Sequence, residues 1–166
     1  MFLTSHSDLS DLRIYPRLFK TWQWFSTLKD TLGQLPSRQD INPLEIPFVL
    51  GYEVLTEFHR DENFCRFRLV GVVLEEFTGL PTSATGLRYD EMLDPESNAQ
   101  ALKTMTSVLD KGQPLFGPSS LRRNDGPSLE YARVICPLKK LEGEPEMIFI
   151  VFEGMCEKEN NKTSLF

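Results

Sequence analysis

The spacing of apolar residues along the chain predicts two long helices that flank a group of shorter elements. After Pro16, apolar side chains recur every three or four residues as far as Leu32, which is the period of an amphipathic helix, and Gly33 supplies a stop. A second run of this kind spans 95–111 and also ends at a glycine. The apolar stripe of the first helix comprises Leu18, Trp22, Phe25 and Leu32, with Leu28 at its edge.

Alternating apolar and polar residues predict five strands. They are placed at 48–58, 64–70, 115–122, 129–138 and 146–152. Between the second and third strands, Gly71 leads into a short helix that ends near Phe77, and a further short helix precedes the long one. This order predicts an α+β fold: a five-stranded antiparallel sheet with helices inserted between strands 2 and 3, plus an N-terminal amphipathic helix.

The last predicted strand is apolar on both faces over 147–152, so both sides of the sheet must be covered there. The inserted helices can cover one side. The N-terminal helix or a second subunit must cover the other. We divide the chain into an N-terminal tail and amphipathic helix at 1–34, the α+β domain at 35–153, and a flexible polar tail at 154–166.

Composition narrows the range of functions. The net charge of −6 and the pI near 5.0 disfavour nucleic acid, which requires clustered Lys and Arg. No segment reaches the roughly 18 apolar residues of a membrane span, and we expect a cytoplasmic protein. The three cysteines have no Cys-x-x-Cys spacing, so neither a zinc site nor a disulfide framework is expected.

Several segments, in their order along the chain, resemble a PAS-like domain family found mainly in alphaproteobacteria. They are LPSRQDINP at 35–43, RFRLVG at 66–71, TG at 85–86, GQP at 112–114 and YARVICPL at 131–138. The resemblance implies the α+β sensory fold and a sensing role, with no agreed ligand or catalytic residue. One segment departs from the family pattern, because 77–86 is longer than its usual counterpart and lacks an aspartate. The role of that segment in gating a pocket is therefore open.

On this interpretation, a small, largely apolar ligand lies between the sheet and the helices of 72–111. The residues expected to line its pocket are Phe67, Leu69, Leu87, Leu102, Met105, Val134 and Ile135. A conformational signal would pass to the N-terminal helix or to a signalling partner.

Flavin and haem are not expected as cofactors, and the cofactor is left unknown. Cys65 lies in a segment that echoes a flavin-photosensor motif, but Phe64 interrupts the motif and the segment is a predicted strand. Haem requires an axial ligand, and the two histidines, His6 and His59, fall in a tail and a polar turn. No spacing suits a metal, and the hydroxyls of 82–85 have no nearby histidine, so we expect no catalytic activity.

Two alternatives remain open. In the first, the protein is a structural homodimer, its pocket filled by side chains, that associates through Leu18, Trp22, Phe25 and Leu28 of the N-terminal helix. In the second, the chain is a small enzyme with a buried carboxylate–tyrosine pair. The candidates for that pair are Tyr52, Tyr89 or Tyr131 with Glu53 or Asp90.

Overall fold

The structure of the chain is a computed structural model, and it describes residues 12–80, 82–123 and 127–158. The helices are α1 (Pro16–Leu32), α2 (Val72–Thr78), α3 (Tyr89–Met92) and α4 (Pro95–Lys111). The strands are β1 (Glu53–His59), β2 (Phe64–Val70), β3 (Leu115–Leu121), β4 (Ser128–Pro137) and β5 (Glu146–Lys158). Three short 3₁₀ turns, Arg38–Asp40, Pro43–Glu45 and Pro47–Val49, connect α1 to the sheet.

The strands form one five-stranded antiparallel sheet in the order β2-β1-β5-β4-β3. The helices α2, α3 and α4 are inserted between β2 and β3, as the sequence predicts. Strand β5 therefore lies at the centre, with β1 on one side and β4 on the other. The predicted α+β architecture is confirmed.

Both faces of the central strand are buried, which confirms the prediction from its apolar composition. Ile148 and Ile150 pack with residues of α2, α3 and α4 in one apolar cluster. Their neighbours Met147, Phe149 and Val151 point to the opposite face and pack in a second cluster with α1. The second face is thus covered by the N-terminal helix of the same chain.

Two predicted strand limits are wrong, each for a physical reason. Strand β1 begins at Glu53, because Pro47 has no backbone N–H to donate and starts a 3₁₀ turn instead. Strand β5 continues beyond 152 to Lys158, since its polar end pairs with the first half of β4. Residues 154–158, which we assigned to a tail, therefore belong to the sheet, and the rest of that tail lies outside the described residues.

The carboxylate of Glu153 anchors α1 to β5. Its Oε2 accepts hydrogen bonds from the backbone N–H groups of Arg17, at 3.0 Å, and Leu18, at 3.2 Å. The side chain of Arg17 donates from Nε to the Phe48 carbonyl at 2.9 Å, and its guanidinium lies 3.5 Å from the Tyr52 ring centroid. A negative charge at a helix N-terminus is stabilising, so Glu153 supplies both a cap and a tether.

The segment after α1 is fixed by capping and by one ion pair. Asp40 accepts from the backbone and hydroxyl of Ser37, whereas Arg38 reaches Glu144 in the β4–β5 connection, with Nη2 and Oε1 2.6 Å apart. The hydrogen bond from Arg38 lowers the pKa of Glu144. Asp40 therefore acts within its own turn, whereas Arg38 makes a long-range contact.

Candidate functional site

A cavity of about 320 Å³ lies between the sheet and the helices α2, α3 and α4. Its volume is at the lower end of the roughly 300–1,000 Å³ that is typical of small-molecule sites. The apolar side chains of its wall are Val54, Phe67, Val70, Leu74, Phe77, Ala84, Met92, Leu93, Ala101, Leu121, Leu129, Ile150, Phe152 and Met155. The wall also contains the phenol rings of Tyr89 and Tyr131. A space of this kind suits a small, largely apolar molecule.

A β-bulge in β2 shapes one side of the cavity. Phe67 and Leu69 pair with successive residues of β1, so Arg68 between them has no residue opposite it on β1 and the strand bulges. The extra residue breaks the alternation of side chains, with the result that Phe67 and Val70 face the cavity. Leu69 points away and is 46 % exposed. Its predicted place in the pocket is therefore wrong.

Tyr89 lies next to Phe67 in the cavity wall. Their rings stack with centroids 4.3 Å apart, and the Tyr89 hydroxyl lies 2.6 Å from the hydroxyl of the buried Thr56. Burial raises the pKa of Tyr89, so this phenol keeps its proton. Asp90, one of the carboxylates proposed for a catalytic pair, instead forms an ion pair with Arg88 at 2.8 Å.

Exposed lining residues mark the cavity opening, where the end of β3 meets the start of α4. Arg122 forms ion pairs there with Asp94, at 3.1 Å, and with Glu96, at 2.5 Å. Its backbone N–H donates to the hydroxyl of Ser97 at 3.0 Å. Asp94 also caps α4, and the hydrogen bond from the Ser97 backbone N–H, with the charge of Arg122, lowers its pKa. This network ties the two elements together.

A second arginine, Arg133, lies in the cavity wall on β4. Its guanidinium carbon is 5.6 Å from the ring centroid of Tyr131, two positions earlier on the same face of the strand. The pocket predicted from the sequence left out both side chains, although Tyr131 was a candidate for the carboxylate–tyrosine pair. The period of two that placed Ile135 towards the helices also places Tyr131 and Arg133 there, and applying it along all of β4 would have found them.

The other predicted pocket residues are spread over the core. Leu102, Met105 and Ile135 are buried in the cluster on the cavity side, and Leu87 packs against that cluster, but these four are not part of the cavity wall. Val134 faces the opposite side of the sheet and packs with α1, because successive residues of a strand point to opposite faces. Of the seven predicted residues, Phe67 is the one in the wall.

The residues predicted for a dimer helix divide into two pairs. Leu18 and Phe25 are fully buried in the cluster between α1 and the sheet, so they serve the core of their own chain. Their predicted role as dimer contacts is wrong, since the sheet already covers them. Trp22 and Leu28 are half-buried.

The described part of the chain holds no group of three or more His, Cys, Asp and Glu side chains that could bind a metal. Cys65 lies in the core cluster rather than in the cavity wall, and burial raises the pKa of its thiol to about 12. None of the described helices is long and apolar enough to cross a membrane.

A sequence model of the PAS domain matches residues 14–152, and the chain belongs to that family. The match covers most of the chain and includes almost all of the sheet. PAS domains are sensory and signal-relay modules, and this chain is a member of that class. None of the curated proteins matches the chain.

Three sensory proteins are among the solved structures to which the chain shows similarity. A light-oxygen-voltage domain studied with a flavin analogue has a TM-score of 0.48 and 17% identity, over 70% of this chain and 84% of that one. The light state of the blue-light photoreceptor Aureochrome1 LOV has a TM-score of 0.45 and 14% identity, over 70% and 88%. A sensory box histidine kinase/response regulator from Burkholderia thailandensis has a TM-score of 0.41 and 12% identity, over 68% and 83%. At these low similarities we infer nothing about ligand or activity from them.

Proposed function

We propose that the chain is a sensory module, without catalytic activity of its own, that binds a small and largely apolar molecule between its sheet and the helices α2 to α4. The observation that carries this proposal is the cavity of about 320 Å³, because well-packed protein interiors leave few voids larger than a water molecule. A ligand that displaces water from such a space removes apolar surface from contact with water, which lowers the free energy of the bound state.

Strand β5 supports a route for the signal. Ile150 and Phe152 line the cavity, whereas Phe149 and Val151, which alternate with them, pack against the α1 side. Glu153 continues the strand and holds the N-terminus of α1. A ligand that shifts the cavity face of β5 would therefore change how α1 packs on the sheet. This change would pass the signal to a partner in the cytoplasm.

The proposal is tested by filling the cavity. Ala101 lies in the wall on α4 and is 8 % exposed, so Ala101→Trp places an indole in the ligand space. The matched control is Lys103→Trp, on the exposed side of the same helix. Native and denaturing mass spectra of freshly purified protein are compared. We expect extra mass that is lost on denaturation in the native protein and in Lys103→Trp, but not in Ala101→Trp.

A native protein that carries no extra mass, or an Ala101→Trp variant that keeps it, would overturn the proposal. Circular dichroism establishes that each variant is folded. If Trp proves too large for the wall, Ala101→Leu fills less of the space and is expected to weaken retention in the same direction.

Homodimerisation is a second proposal, supported by the half-buried side chains of α1. Leu28 belongs to neither of the two apolar clusters, although it lies on the same helix as the buried Phe25. We propose that a second copy of the chain covers it together with Trp22. The start of the α+β domain at residue 35 is likewise a proposal; the family match starts earlier, at residue 14, before α1.

A further inference from the structure

We infer that the ligand of this cavity carries a carboxylate group that is bound by Arg133. The inference rests on the proposed function and adds to it the chemical class of the ligand. Among the residues that the structure describes, three charged side chains line the cavity, namely Glu96, Arg122 and Arg133. The first two neutralise each other at the opening, where Arg122 also contacts Asp94. This leaves the charge of Arg133 to be balanced.

The ion pairs and hydrogen bonds of the described residues include none made by the guanidinium of Arg133. The residue is half-buried, and its neighbour on β3 is Gly117, which has no side chain to cover it. A partly desolvated cation without an anionic partner is unfavourable, and this protein has six more acidic than basic side chains from which a partner could have come. An anion supplied by the ligand would satisfy this group.

The surroundings of Arg133 favour a carboxylate. Its guanidinium lies against the ring of Tyr131, 5.6 Å from the centroid, and that ring is held edge-on by Phe152 at 5.1 Å. The Tyr131 hydroxyl makes no hydrogen bond within the described part of the chain and can donate one. The planar guanidinium of Arg133 and the hydroxyl of Tyr131 match the two oxygens of a carboxylate. A doubly charged phosphate would require more hydrogen-bond donors. The rest of the wall is apolar, so it suits a ligand whose remaining part is aliphatic or aromatic.

The test uses acids and amides of equal size. Phenylacetate, phenylpropionate and phenylbutyrate are titrated into the protein by calorimetry, together with their three primary amides. We expect the native protein to bind at least one acid about tenfold or more tightly than its amide, because hydrogen bonds to charged groups are the stronger kind. Arg133→Met, which keeps the apolar stem, should remove this preference by weakening the acid while leaving the amide within about twofold of its native affinity.

The matched control is Arg68→Met, which removes an arginine that is 61% exposed outside the cavity wall and should keep the preference. Equal binding of acids and amides by the native protein would overturn the carboxylate inference and leave the apolar site intact. A preference that persists in Arg133→Met would overturn the role of Arg133. If neither series binds the native protein, and no retained mass is found in the Ala101→Trp experiment, the proposed function itself fails and this inference fails with it.

Discussion

Gly71, at the junction of β2 and α2, is required by a close contact rather than by its dihedral angles. Its φ of −63° and ψ of 151° are open to any residue. A Cβ atom there would lie 2.4 Å from the carbonyl carbon of Gly51 and 2.5 Å from its oxygen. The same oxygen accepts hydrogen bonds from the backbone N–H groups of Val73 and Leu74, so it cannot move without loosening α2.

We therefore expect Gly71→Ala to lower the free energy of unfolding by about 1–3 kcal/mol, the usual cost of overpacking. The measurement is urea denaturation followed by circular dichroism. Gly143→Ala is the control: its φ is +75° and nothing lies within 4 Å of the added Cβ, so its expected cost, about 1 kcal/mol, comes from the left-handed conformation alone. A smaller loss in Gly71→Ala than in Gly143→Ala would show that the contact with Gly51 relaxes easily.

At the scale of elements, the attachment of α1 to β5 depends on Glu153. Replacing it by Ala removes the acceptor for the N–H groups of Arg17 and Leu18, and with it the ion-pair contact to the Arg17 guanidinium at 3.9 Å. Since the loss of a helix cap costs about 0.5–2 kcal/mol, we expect Glu153→Ala to destabilise the protein by that amount. Amide hydrogen exchange should accelerate in the first turn of α1.

The control for this prediction is Glu142→Ala, which removes an exposed carboxylate from the β4–β5 connection. It should change neither the stability nor the exchange of α1 by a measurable amount. Unchanged amide exchange in α1 of Glu153→Ala would mean that apolar packing alone holds the helix on the sheet. The proposed signal route would then not pass through this carboxylate.

Elements with a local start and stop could be predicted from the sequence. Helix α1 begins at Pro16 and ends before Gly33, and α4 begins after the cap Asp94 and ends before Gly112, as expected. These limits depend on a few neighbouring residues. The end of β5 could not be found in this way, because its polar residues are in a strand as a result of pairing with the start of β4, where Ser128 lies opposite Lys158 at the open end of the hairpin.

The bulge explains why the pocket was predicted less well than the fold. Strict alternation along β2 places Phe67 and Leu69 on one face, and a single unpaired residue, Arg68, reverses the second of these assignments. Nothing in the sequence of β2 alone marks that position. By contrast, Tyr131 and Arg133 follow the ordinary period of a strand and could have been included from the pattern.

At the scale of the whole molecule, the sheet separates two apolar clusters with different roles. The cluster between the sheet and α1 includes the fully buried Leu18 and Phe25 and is packed from within the chain. The cluster on the other face surrounds the cavity. The central strand β5 contributes to both, so the proposed ligand site on one face and the proposed assembly surface on the other share one structural element.

A second copy of the chain that assembles on α1 should therefore contact the edge of the helix rather than its buried stripe. We expect the wild-type chain to be a dimer and Leu28→Glu to be a monomer, because a charge at a covered apolar position must be desolvated without a partner. Native mass spectrometry and sedimentation at several concentrations provide the measurement. Thr27→Glu, exposed on the same helix, adds the same charge one position away and should leave the mass unchanged. A native protein that is monomeric throughout, or a Leu28→Glu variant that remains dimeric, would refute assembly through this edge, and neither result would bear on the cavity.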